Sequence, residues 1–194
     1  LLAQMNAPIT YSNQNATRNQ PLSEQLVGAM GFLGDMGIRM DVFSGGQDAA
    51  GEGGARVGSP RHDHGNAADV RFYAGDRMLD WNNPEDIPVL QSIVTQAQAN
   101  GVTGFGAGND YMGAGAVHLG FGAPAVWGAG GSGANAPDWL REVFNGETVS
   151  ANGQPPQRTA QQTTQQSRPQ VDTSGLSYGR SERSALEISI PQAA

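Results

Sequence analysis

The sequence predicts an α+β fold: one modest domain of short strands and flanking helices, with extended polar arms at both ends. Three patterns predict it. Apolar residues alternate with polar ones over several short stretches, the period of a strand. They recur every three to four residues in other stretches, the period of a helix. Glycine, at 28 of 194 residues, punctuates the junctions between them. The expected organisation is an N-terminal arm over 1–20, a domain over 21–145 and a low-complexity tail over 146–194.

Residues 1–20 are rich in Asn and Gln and show no periodicity. Leu22, Leu26, Met30 and Leu33 then recur at helical spacing from Pro21 to Met36, and Gly37 supplies a stop. Ile38–Phe43 alternates and reads as a strand, followed by a Gly-rich loop over 44–58. Ala67–Tyr73 reads as a second strand, with Val70 and Phe72 on one face and Asp69 on the other. A turn at Gly75-Asp76 follows. A helix is expected from Pro84 to about Asn100, with Asn83 as its cap and Ile87, Leu90, Ile93, Val94 and Ala97 as its buried stripe. Short strands are expected at 101–106 and 116–121, and a last short helix over Pro137–Phe144. Beyond Gly146 the chain turns to Gln, Thr, Ser and Pro, a composition that buries too little apolar surface to fold alone. The tail is expected to dock on other protein chains, and Ala185–Ile190 alternates as a strand added to a neighbour would.

Composition excludes several functions. There is no cysteine, so any metal must be held by His, Asp or Glu. A net charge of −7 argues against nucleic acid as a partner, since phosphates demand clustered cations. No apolar run approaches the ~20 residues of a membrane span, and no basic-then-apolar signal opens the chain.

The three histidines concentrate the chemistry. Ser59-Pro-Arg-His-Asp-His-Gly-Asn-Ala-Ala-Asp69 reads as H-x-x-G-x-A-x-D, with His62, Gly65, Ala67 and Asp69 in the fixed places. A loop histidine and a carboxylate in the following strand can converge on one ion. Gly65 lets the loop turn and Ala67 leaves room beside the metal. His118, in Gly115-Ala-Val-His-Leu-Gly-Phe-Gly122, would complete the set from an adjacent strand. Two imidazoles and one carboxylate leave a tetrahedral zinc one free position for water, the arrangement of a catalytic site. Read without a metal, His62 and His64 are loop histidines and Asp69 is a satisfied strand-end carboxylate.

Three segments together resemble a known family: Val42-Phe-Ser-Gly-Gly46, Gly58 to Asp69, and Gly104-Phe-Gly through Val117-His-Leu-Gly-Phe to Trp127-Gly128. They are similar to the zinc D-Ala-D-Ala carboxypeptidase superfamily, which includes phage L-alanyl-D-glutamate endolysins and the Hedgehog amino-terminal domain. The resemblance covers roughly residues 38–128. It implies a small antiparallel sheet holding zinc on His62, Asp69 and His118, and peptidoglycan stem peptides as substrates. The family also places an acid near the last ligand as general base. Here Gly115 and Leu119-Gly120 stand in those places. Asp110 is the nearest acid and the first candidate for the base; Glu52 and Asp63 are others that folding can bring close.

His64 is a second catalytic candidate, or else a solvent-facing loop residue. Arg56 and Arg61 flank the motif and can hold a substrate carboxylate as bidentate donors, or be merely solvated. Trp127, Trp139 and Tyr111 read as core or rim. The Gly-x-Gly pattern between Gly104 and Gly133 lacks the lysine and the strand–turn–helix context of a phosphate loop. The expectation is a zinc peptidase of the bacterial cell wall, acting extracytoplasmically or carried in a phage virion. The alternative is a weak or inactive structural protein of a phage particle that keeps the same fold.

Overall fold

The computed structural model of the chain describes residues 8–13 and 17–147. The alternating stretches form one mixed sheet. Its strands are β1 (Ile9–Tyr11), β2 (Ile38–Ser44), β3 (Ala67–Ala74), β4 (Arg77–Met78), β5 (Gly104–Ala107), β6 (Ala116–Gly120) and β7 (Ala125–Trp127). The order is β1-β2-β3-β6-β5-β7, with β4 hairpinned onto β3. The central pairings are antiparallel, as the resemblance implied. Both edge pairings, β1 with β2 and β5 with β7, are parallel. A parallel neighbour needs a crossover rather than a tight hairpin. For β1 and β2 the crossover carries the first helix.

Three helices are present among the described residues: α1 (Glu24–Ala29), α2 (Ile87–Ala99) and α3 (Asp138–Phe144). Two differ from the sequence expectation. The helix expected over 21–36 closes at Ala29 and continues as a 3-10 turn over Gly31–Leu33. Gly28, Gly31 and Gly34 weaken a continuous helix, and Ser23 caps its start by accepting from the Leu26 N–H at 3.2 Å. Leu22, Leu26, Met30 and Leu33 are buried all the same. The long helix begins three residues after Pro84, at Ile87, and Asn83 is not its cap. Asp86 instead turns its carboxylate to the Arg77 guanidinium, at 2.7 and 2.8 Å, which ties the helix start to the β3–β4 hairpin. Pro88 then lies in the first helical turn, where a missing N–H costs nothing.

The core fills one face of the sheet. Met40, Val42, Val70, Phe72, Phe105, Val117 and Leu119 are buried there with Leu90, Ile93, Val94, Ala97, Leu140 and Val143 of α2 and α3. Helices therefore cover one side, and the opposite side is left for the site. Trp139 is core, as expected, stacked on Trp81 with ring centroids 6.1 Å apart.

The polar arm is structured at two places. Ile9–Tyr11 pairs with β2 through its backbone, which needs no side-chain alternation. Thr10 and Ser12 hydroxyls donate to Asp41 at 2.9 and 2.5 Å. Gln20 bridges to Gly46. The tail over 148–194, with the strand expected at 185–190, lies outside the described residues. No helix among the described residues is long and apolar enough to cross a membrane.

Candidate metal centre

One row of residues runs across the open face of the sheet. Ser44, Asp69, His118, Gly106 and Trp127 are successive register partners on β2, β3, β6, β5 and β7. Residues directly opposite one another share a face, so these side chains meet. A register shift in β2 between Val42 and Ser44 brings Ser44 opposite Asp69. Such a bulge re-aims a strand where a site is built.

His62 joins the row from the loop before β3. It ends a 3-10 turn over Pro60–His62 whose Ser59 hydroxyl caps the Arg61 N–H at 3.2 Å. Gly65 has φ of 74°, and a Cβ there would meet the Pro21 carbonyl at 2.4 Å. Glycine is thus required both for the turn and for the close backbone approach. Ala67 also has a packing partner across the sheet. It packs against Gly120, where a Cβ would lie 2.4 Å from its own.

The ligand atoms converge. His62, Asp69 and His118 are buried, and each offers one ligand-capable atom within 4.8 Å of the others. His62 Nδ1 lies 2.8 Å from the Gly45 carbonyl. A carbonyl only accepts, so Nδ1 carries the proton and Nε2 keeps its lone pair, as a metal ligand requires. That Nε2 is 3.5 Å from Asp69 Oδ1, and His118 Nδ1 is 2.8 Å from the same oxygen.

Electrostatics match this arrangement. Burial alone would raise the Asp69 pKa, but the hydrogen bond from His118 and the two flanking imidazoles hold its carboxyl well below the usual range. Burial pushes the His118 imidazole pKa down, against the opposing pull of Asp69, which favours the neutral ring that binds metals. His118 Nε2 is buried with no hydrogen-bond partner, so the protein does not exhaust this ring's bonding capacity. A carboxylate between two imidazoles is a donor set that could hold a divalent cation.

Sequence reasoning missed Arg18, which sits in the supposed arm. Its Nη1 donates to His62 Nε2 at 3.1 Å and to Asp69 Oδ2 at 3.3 Å. Its Nη2 donates to the Val57 carbonyl at 2.7 Å. The segment is strapped down by the Gly45 N–H, which donates to the Arg18 carbonyl at 2.7 Å. Gly45 and Gly58 make room, since Cβ atoms there would meet Gln20 O and Arg18 Nη2, each at 2.6 Å. Gln47 was missed too. It is fully buried and braces the histidine loop, donating to Ser59 O and Asp63 Oδ1 and accepting from the Val57 N–H. Neither residue carries a signal in spacing or composition.

The candidates named from sequence separate. Arg18, Arg61, His62, Asp69, His118 and Trp127 are among the residues lining one cavity of about 510 Å³, and Tyr111 lines it with them. Arg61 lines it while holding the Phe121 and Ala123 carbonyls at 2.8 and 2.5 Å, with its guanidinium 5.1 Å from the Trp127 ring centre. Arg56 lies outside the lining, bound to both Asp63 oxygens at 2.7 Å and to the Asp48 carbonyl at 2.8 Å. His64 is exposed, at a left-handed φ of 57°, and meets Glu52 at 2.8 Å. That is the solvent-facing reading of His64, and it engages Glu52 as well. Asp110 is exposed and lines a separate cavity with Trp81 and Asn109. Among the described residues, Asp69 is the only carboxylate lining the central cavity.

The Gly-x-Gly of β5 has a steric reason here. A Cβ at Gly106 would meet Trp127 Nε1 at 2.4 Å, and one at Gly104 would meet Arg61 Nη1 at 2.5 Å. These glycines form a shelf on which Trp127 lies against His118, ring centroids 5.0 Å apart.

No protein-family model, curated protein or solved structure matches the chain.

Proposed function

We propose that this chain is a zinc-dependent peptidase acting on peptidoglycan stem peptides, at the bacterial cell wall or carried in a phage particle. One observation carries the reading. Two imidazoles and a carboxylate, from a loop and two adjacent strands, converge at the wall of an open cavity. Zinc held by His62, Asp69 and His118 would polarise an amide carbonyl and acidify bound water towards a pKa of about 7. The chain's own residues keep the ligands in the right state. Gly45 fixes the His62 tautomer, burial favours the neutral form of His118, and the surrounding hydrogen bonds favour the ionised form of Asp69. The peptidoglycan substrate follows from the family resemblance of residues 38–128.

A second reading has its own support. Among the described residues no carboxylate other than Asp69 lines the cavity, so none of them places a side-chain base of the usual kind beside the ligands. On that reading the chain binds zinc, turns over little and serves as a structural protein of the particle. Zinc content measured alongside fragment release from purified peptidoglycan separates the two. Zinc with released peptides supports the peptidase. Zinc without release supports the structural protein. Absence of zinc uptake removes the peptidase and leaves a structural protein without metal.

A further inference from the structure

We propose that the Tyr111 hydroxyl is a catalytic hydrogen-bond donor of the cavity, acting on the carbonyl oxygen of a bound amide. The proposal rests on the hydrolase reading above and assigns that site a residue the sequence marked only as core or rim.

Tyr111 is half-buried and lines the same cavity as His62, Asp69 and His118. Its oxygen accepts the indole N–H of Trp127 at 3.0 Å. An indole nitrogen only donates, and a phenol has one proton of its own to give. The Trp127 bond therefore orients the hydroxyl and leaves its proton unspent. No described residue accepts it.

The orientation is built into the sheet. Trp127 is held flat because Gly106 has no Cβ, and its ring rests 5.0 Å from that of His118. The hydroxyl thus sits at the edge of a ring that touches a metal ligand. At its other end, the Tyr111 N–H donates to the Gly108 carbonyl at 3.1 Å, which fixes the loop. A donor held this way costs no reorganisation when the amide oxygen gains negative charge, and its bond strengthens as the charge develops. Within the chain the two cavity guanidiniums already have partners. Arg61 holds two backbone carbonyls, and Arg18 is bonded to His62, Asp69 and Val57.

The test compares the full chain with Tyr111→Phe, which keeps the ring and loses only the hydroxyl. Zinc affinity is measured by competition with a chromophoric chelator. Binding of a phosphinate analogue of an alanyl dipeptide, whose tetrahedral anionic oxygens mimic the charged amide, is then measured by calorimetry on the zinc-loaded proteins. The expected result is unchanged zinc affinity and a melting temperature lowered only slightly by loss of the Trp127 bond, with phosphinate binding weakened roughly tenfold or more. Equal phosphinate binding by the two proteins overturns the proposal. A chain that takes up zinc but does not bind the phosphinate overturns the hydrolase reading and this proposal with it. Incorporation of 3-fluorotyrosine at 111, which makes the phenol a stronger donor, should tighten phosphinate binding. A purely structural tyrosine would leave it unmoved.

Discussion

Arg18 donates a hydrogen bond to His62 Nε2 across 3.1 Å. An imidazole nitrogen has a single in-plane lone pair, so this bond and a bond from His62 Nε2 to a metal exclude one another. A guanidinium cannot give up its charge to lessen the conflict. Metal binding must therefore swing the Nη1 group off His62. The Asp69 Oδ2 and Val57 carbonyl contacts are free to persist or break with it. Arg18→Ala should tighten zinc binding by about tenfold, since a charge-assisted hydrogen bond no longer competes. Chelator competition reads this directly. Zinc should also speed tryptic cleavage after Arg18, followed by mass spectrometry. Weaker zinc binding in the variant would show that Arg18 supports the metal rather than opposing it.

His62→Ala should abolish stoichiometric zinc uptake, because two ligands alone hold zinc poorly. Asp69→Asn should lower affinity by a large factor while keeping the shape of the site. It removes the anion that compensates the cation, and leaves a neutral oxygen. Elemental analysis after dialysis checks both. Full zinc content in His62→Ala would place the metal elsewhere.

Much of this site was legible in the sequence, and the rest had physical reasons not to be. His62 and Asp69 stand seven residues apart across a loop-to-strand junction, so local geometry alone lets them converge. His118 was readable because it lies within an apolar alternation. Arg18 was not, since it reaches the site through backbone pairing of Gln20 with Gly46, which no side-chain pattern reports. Asp110 is near His118 in sequence, but the chain carries it to another cavity beside Trp81 and Asn109. Proximity in sequence does not survive a loop of this length. The helix ends shifted where tertiary contacts, such as Asp86 with Arg77, outweighed local capping rules.

Acid should destabilise the chelator-treated protein in two stages. Burial holds the His118 pKa below its ordinary 6.5, partly offset by Asp69. The unfolded chain then takes up a proton near 6.5 that the folded protein refuses. Stability falls as pH drops through this range and levels off below the folded pKa. Asp69 acts at lower pH: its contribution is intact above the ordinary 3.8 and fades on acidification beyond it. The melting temperature should therefore start to drop as pH falls through the ordinary 6.5 of a free imidazole, and His118→Asn should flatten that slope. An unchanged slope in the variant would assign the effect to other groups.

A chain ending at Glu147 should keep its fold. Among the described residues, every buried core residue lies between Leu22 and Val143. Calorimetry should show a single cooperative transition at nearly the melting temperature of the full chain. The Gln-, Thr- and Pro-rich composition beyond that point suits docking on other chains, so sedimentation of the shortened chain should show weaker self- or partner assembly. Loss of cooperative unfolding on truncation would tie the tail to the domain instead.

Gly106→Ala tests the shelf beneath Trp127. The new Cβ would lie 2.4 Å from Trp127 Nε1, inside any real contact distance. β5 is a short central strand, paired to β6 on one side and β7 on the other, so its backbone has little freedom to retreat. The indole must move instead. Moving it breaks the 3.0 Å bond to Tyr111 and lifts the ring from His118. Overpacking of this kind costs about 1–3 kcal/mol. The variant should melt earlier and show altered tryptophan emission. Its zinc affinity should change less than that of His62→Ala, because none of the three ligands is touched. Its phosphinate binding should fall to the level of Tyr111→Phe, since the hydroxyl loses the indole that aims it. Wild-type phosphinate binding in Gly106→Ala would show that Tyr111 needs no such support.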